Sequence, residues 1–142
     1  MGRVHSLKQI KNALVMFKTK IRYTYEPLTN IFTDISKTIG GKTGEIFKTV
    51  VTQMENENAS NSWENAIEKS DICITREDKQ TLKGLGKLLG KTDLEGQINE
   101  IELTINFLDT QIEKAEREKE KNAKLYKTLG IVSGLGIVII LI

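Results

Sequence analysis

Asp93-Leu-Glu-Gly-Gln-Ile98-Asn-Glu-Ile101-Glu-Leu-Thr-Ile105-Asn-Phe-Leu108-Asp-Thr-Gln-Ile112-Glu-Lys-Ala115 decides the fold. Its apolar residues, Leu94, Ile98, Ile101, Ile105, Leu108, Ile112 and Ala115, alternate spacings of four and three without a slip. Seven positions in heptad register predict a helix with a packed seam, closed within the chain, between chains, or both. Asp93 can cap this helix at its start. From Glu113 to Lys124 the pattern turns polar all round, with Glu113/Arg117, Lys114/Glu118 and Glu120/Lys124 as i,i+4 pairs, which predicts a solvated helical stalk.

Downstream of the stalk the composition changes. Thr128 to Ile142 carries no charge, and most of its positions are Leu, Ile or Val. Counted back to Leu125, with Lys127 reaching toward headgroups, the run is about 27 Å long as a helix, close to a hydrocarbon core of roughly 30 Å. Gly130 and Gly134 would weaken a helix in water but suit a close-packed face in a membrane. The expected division is a cytoplasmic helical bundle with a C-terminal stalk over 1–124 and a C-terminal transmembrane helix over 125–142. Lys119, Lys121, Lys124 and Lys127 precede the run, so the positive-inside tendency keeps the bulk of the chain cytoplasmic.

The remaining sequence predicts an all-α bundle. There is one proline in 142 residues. Val4, Leu7, Ile10, Leu14, Phe17 and Ile21 form a helical stripe that ends at Glu26-Pro27. A second helix runs through Leu28, Ile31, Phe32, Ile35 and Ile39 to Gly40-Gly41, and a third carries Ile46, Phe47, Val50, Val51 and Met54. Glu55 to Asn61 reads as a loop, with Asn61 or Ser62 capping a short helix that holds Trp63, Ala66 and Ile67. Thr75 with Asp78 predicts a capping box for a helix whose apolar face is Leu82, Leu85, Leu88 and Leu89. Lys79, Lys83, Lys87 and Lys91 recur every fourth residue on that helix and line up as one basic row.

The composition excludes several functions. A single Cys73 and a single His5, far apart, make neither a structural zinc site nor a disulfide framework, and no metal or cofactor is expected. No nucleophile and base pair is recognisable, so no enzyme activity is expected. Ile39-Gly-Gly-Lys-Thr-Gly44 looks like a phosphate loop, but Ser36 stands where its first glycine belongs and a helix precedes it, so it is not read as a nucleotide site. A net charge of +2 is too small to imply nucleic acid. That charge is a cancellation: residues 1–54 hold nine bases and three acids, and 92–113 hold six acids and no base. The alternating patches are read as docking surfaces, among them the lysine row and the acidic stretch Glu55 to Glu68. Tyr23, Tyr25 and Trp63 are amphipathic aromatics and candidate interface anchors, and Gly130 with Gly134 is the candidate membrane-packing face.

Together these landmarks resemble the stage III sporulation protein AB family of endospore-forming bacteria. The residues that carry the resemblance are Leu14, Ile21, Tyr23, Pro27-Leu28, Phe47 and Trp63, then Leu85-Gly86, Leu89-Gly90, Asp93 and Gln97, and finally Tyr126, Leu129-Gly130 and Gly134. The resemblance implies a non-enzymatic membrane component of the channel complex between mother cell and forespore, located in the mother-cell membrane around the forespore. It implies a helical cytoplasmic part similar to that of the type II secretion platform protein. Implied partners are the secretion-type ATPase subunit (AA), other membrane subunits of the complex, and membrane lipid, with a homo-oligomer left open. Family members start with an apolar helix, whereas this chain starts Met1-Gly-Arg-Val. The alternatives are a trimmed first helix or reliance on the C-terminal anchor. A competing reading from the residues is a tail-anchored coiled-coil adaptor whose heptad face pairs two chains.

Overall fold

Arg3–Tyr23 (α1), Leu28–Ile39 (α2), Gly41–Gln53 (α3), Ala59–Lys69 (α4), Arg76–Gly84 (α5), a 3-10 turn at Leu85–Leu88 and Leu94–Leu141 (α6) follow one another in a computed structural model. It describes residues 2–89 and 93–141, with side chains in α6 as far as Leu125. No strand occurs among the described residues, in keeping with the all-α class expected from the sequence.

The heptad seam is closed within the chain. Ile98, Ile101, Ile105, Leu108, Ile112 and Ala115 are buried, while Leu94 at the start remains 44% exposed. They pack chiefly along α1, whose own stripe contributes Leu7, Ile10, Ala13, Leu14 and Phe17. The two helices run antiparallel, since Lys8 pairs with Glu116, Lys11 with Asp109 and Lys18 with Glu102.

Glycine sets the tight connection from α2 to α3. Gly40 and Gly41 sit at φ of +65° and +59°, a region that side chains with a Cβ rarely enter. One turn later, a Cβ on Gly44 would stand 2.6 Å from the Ser36 carbonyl oxygen, so the two backbones touch only because Gly44 has none. The hairpin aligns three phenylalanines with the one tryptophan. Phe17, Phe32, Phe47 and Trp63, one from each of the first four helices, form a chain of rings with centroids 5.0 to 6.0 Å apart. Edge-to-face pairs of this kind add roughly 0.5–1.5 kcal/mol each beyond their buried area.

Two boundaries differ from the sequence reading. The fourth helix begins at Ala59, not near Ser62, because the Asn58 side chain accepts the Asn61 N–H at 2.7 Å and serves as the cap. Ser62 is instead fully buried, its hydroxyl without a partner among the described residues. The Thr75–Asp78 capping box forms as expected, but α5 then stops at Gly84. The chain tightens into the 3-10 turn, where residues three apart eclipse, and Leu82, Leu85 and Leu88 all face the core. Gly86 permits this, since its Cα lies against the Ser60 carbonyl and the Trp63 ring where a Cβ would meet both within 3.3 Å.

Among the described residues no helix is long and apolar enough to cross a membrane. The expected transmembrane segment over 125–142, including Gly130 and Gly134, lies beyond Leu125 and so outside the described side chains.

Candidate functional site

The bases of α1 are all paired within the chain, whereas in the acidic stretch Glu55 to Glu68 only Glu68 has an ion pair among the described residues and Glu55 and Glu57 stand exposed. Besides the pairs with Glu116, Asp109 and Glu102, the bases of α1 reach Asp34 and Glu26 through Lys20, and Glu102 again through Arg22. The acid-rich first part of α6 is thus the internal counterpart of the base-rich first helix. Each pair is partly solvated and worth at most about 1 kcal/mol, so together they fix register and orientation more than stability.

One pair is different in kind. Asp78 is fully buried, and its carboxylate accepts from Arg3 Nε at 3.0 Å, from Arg3 Nη2 at 3.3 Å and from the Thr75 N–H at 3.0 Å. Arg3 Nη2 also donates to Gln111 Oε1 at 2.9 Å, so this cluster ties α1, α5 and α6 together. The hydrogen bond to Asp78 raises the Arg3 pKa, so the guanidinium stays charged throughout the accessible range.

The lysine row is not a continuous stripe. Lys79 Nζ donates to the Ser70 carbonyl at 2.9 Å, and Lys83 Nζ reaches Glu68 Oε2 at 3.2 Å. Arg76 also holds Glu68, and hydrogen bonds from Arg76 and then Lys83 lower that carboxyl's pKa below its ordinary 4.5. The 3-10 turn carries the exposed Lys87 off the line of Lys79 and Lys83, and Lys91 lies outside the described residues.

The aromatic candidates separate cleanly. Trp63 is 2% exposed and donates its Nε1–H to the Leu82 carbonyl at 2.6 Å, so it is a core residue and presents nothing to a partner. Tyr23 is 73% exposed, and Tyr25 two residues later is fully exposed. Both lie at the α6 N-terminal end of the bundle and away from the stalk, since their neighbour Arg22 reaches Glu102 and Ile21 and Glu26 border one cavity with Gln97. The sequence named Tyr23 and Tyr25 as amphipathic aromatics, but only the fold separates them from Trp63.

No group of three or more His, Cys, Asp or Glu among the described residues could hold a metal ion. His5 and Cys73 line one small cavity, both exposed at its rim and too few to act as ligands.

The comparisons with known proteins agree with this architecture. Stage III sporulation protein AB of Bacillus subtilis (strain 168) is 26% identical over 143 residues, which cover 98% of this chain and 84% of that protein. A solved structure titled stage III sporulation protein AB (SpoIIIAB) superposes with a TM-score of 0.78 at 24% identity, covering 84% of this chain and 97% of that one, a likeness of fold. A family model described as stage III sporulation protein AB matches residues 1–142, and with the match running from end to end the chain belongs to that sporulation family.

Proposed function

We propose that the chain is a non-enzymatic platform component of a secretion-like channel complex between mother cell and forespore, holding a cytoplasmic secretion-type ATPase, the AA subunit, beside other membrane subunits. The observation that carries this reading is the double use of α6. Through Ala115 the helix is built into the bundle, and from Arg117 to Leu125 every side chain is exposed. A helix that is polar on all sides serves as a connection between bodies. What lies at its far end is the uncharged run from Thr128 to Ile142, read here as a transmembrane helix in the mother-cell membrane, packed through Gly130 and Gly134. Lys119, Lys121 and Lys124 would then sit at an anionic inner leaflet.

The heptad face is already covered by α1, so a coiled-coil adaptor pairing two chains through it has no free seam to use. The surface we assign to a cytoplasmic partner is the end opposite the stalk, where Tyr23 and Tyr25 stand exposed, with Lys87 the exposed member of the described lysine row. Exposed tyrosines are effective anchors because a large ring is buried at little entropic cost. Tyr23→Ala combined with Tyr25→Ala is expected to weaken capture of the ATPase from detergent extracts by about thirtyfold, the ~2 kcal/mol typical of a hot spot. Undiminished capture by the double variant would remove this end from the interface.

A further inference from the structure

The geometry points to a binding site for a phosphate-type oxyanion in the cavity between the start of α1 and the start of α3. The cavity holds about 280 Å³. The glycine-rich stretch that failed as a nucleotide loop forms one wall, and Ser6 and Gln9 of α1 form another. Three features make it a receptor for an acceptor-only ligand.

First, α3 starts here with no side-chain cap. The Gly44 N–H bonds the Gly40 carbonyl at 2.8 Å, which leaves the N–H groups of Gly41, Lys42 and Thr43 as the unsatisfied donors of the first turn. Second, Ser6, which comes from α1 and is independent of the helix end, is 8% exposed, and Thr43 of the first turn of α3 is 4% exposed. Both line the cavity, and neither hydroxyl has a hydrogen-bond partner among the described residues. Both side chains are held almost wholly inside the fold while their hydroxyls open onto the same cavity, so an acceptor seated there can take a hydrogen bond from each. Third, Lys42 stands at the rim, where its Nζ is 3.2 Å from the exposed Asp71 carboxylate. Asp71 opposes an anion and Lys42 offsets it, so the amides and hydroxyls decide the preference.

Three amides and two hydroxyls exceed what the two oxygens of a carboxylate accept comfortably and suit the three free oxygens of a phosphate monoester. The volume admits the phosphate with a small substituent and lies below the usual range for larger ligands of roughly 300–1,000 Å³. This ligand could come as soluble phosphate or as a lipid headgroup. The cavity sits toward the stalk end of the bundle, since α1 begins beside Gln111 and Glu116 of α6.

The test is amide NMR of the full chain in dodecyl maltoside micelles, which contain no phosphate. Inorganic phosphate is titrated in one arm and phosphatidic acid in the other. Saturable shifts at Gly41, Lys42 and Thr43 with inorganic phosphate identify a soluble source, and shifts with phosphatidic acid alone identify a headgroup. In the arm that binds, Ser6→Ala and Thr43→Val should each weaken affinity about tenfold, as loss of a hydrogen bond to a charged group does, whereas Thr43→Ser should retain it. Spectra of the variants report folding directly, and Thr43→Ser controls for the change in shape. Absence of saturable shifts in both arms, or equal affinity in Ser6→Ala and wild type, overturns the site.

Discussion

Trp63→Ala should be the most damaging single substitution in the bundle, lowering unfolding free energy by about 4 kcal/mol, within the 3–5 kcal/mol typical of a large aromatic truncated in a core. Three losses combine. The ring is 2% exposed and touches Phe32 and Phe47, with centroids at 6.0 and 5.5 Å. Its removal leaves a void at the junction of α2, α3, α4 and the 3-10 turn. The Leu82 carbonyl loses the Nε1–H that satisfies it at 2.6 Å. Trp63→Phe separates these effects, keeping most of the packing while forfeiting the hydrogen bond, and should cost roughly half as much. Urea unfolding of the 1–124 fragment, followed by far-UV circular dichroism, reads both values. A shift in midpoint at constant slope marks a change in stability and not in the unfolded state. A loss under about 1 kcal/mol for Trp63→Ala would mean that the residue is not the core junction described here.

Asp78→Ala is the second large effect, expected at about 3 kcal/mol. Removing one member of a buried ion pair typically costs 3–5 kcal/mol because the other charge is left without a partner. Arg3 keeps its bond to Gln111 Oε1 and its side chain is 21% exposed, which moderates the loss toward the lower value. The Thr75 N–H also loses its acceptor, adding the cost of half a capping box. Asp78→Asn retains an oxygen for Thr75 and removes the charge, so it should fall between wild type and alanine. Equal stabilities for Asp78→Ala and wild type in the same urea assay would show that Arg3 and Asp78 contribute no net cohesion.

The parts of this fold that were legible in the sequence are those with local or periodic signals. The seam from Ile98 to Ala115, the break at Pro27, the Gly40-Gly41 stop and the Thr75–Asp78 box each follow from residues within a few positions of one another. The cap of α4 was not, because Asn58, Asn61 and Ser62 are all good cap residues in one polar stretch, and only the burial of Ser62 chooses among them. The 3-10 turn left a trace in the spacing of Leu82, Leu85 and Leu88, which adding Leu89 turns into an ordinary helical face. Pairings across the chain were invisible by nature. Arg3 and Asp78 are 75 positions apart, and no local pattern links them. Likewise, the basic and acidic segments looked like surfaces for other molecules until the antiparallel packing of α1 on α6 made them partners. Trp63 failed as an anchor for a related reason, since an amphipathic ring suits a core and an interface equally until its N–H finds Leu82.

With the seam between α1 and α6 closed within one chain, the proposed platform role leaves that seam no part in pairing two chains, and contacts with other subunits would fall to the rest of the surface and the stalk. Sedimentation equilibrium of the fragment 1–124 over a wide concentration range tests this most directly. The mass of one chain is expected at every concentration, because α1 already covers the heptad face of α6. A mass rising to that of two chains, abolished by Ile105→Lys in an otherwise folded fragment, would contradict it and return the seam to an interface between chains.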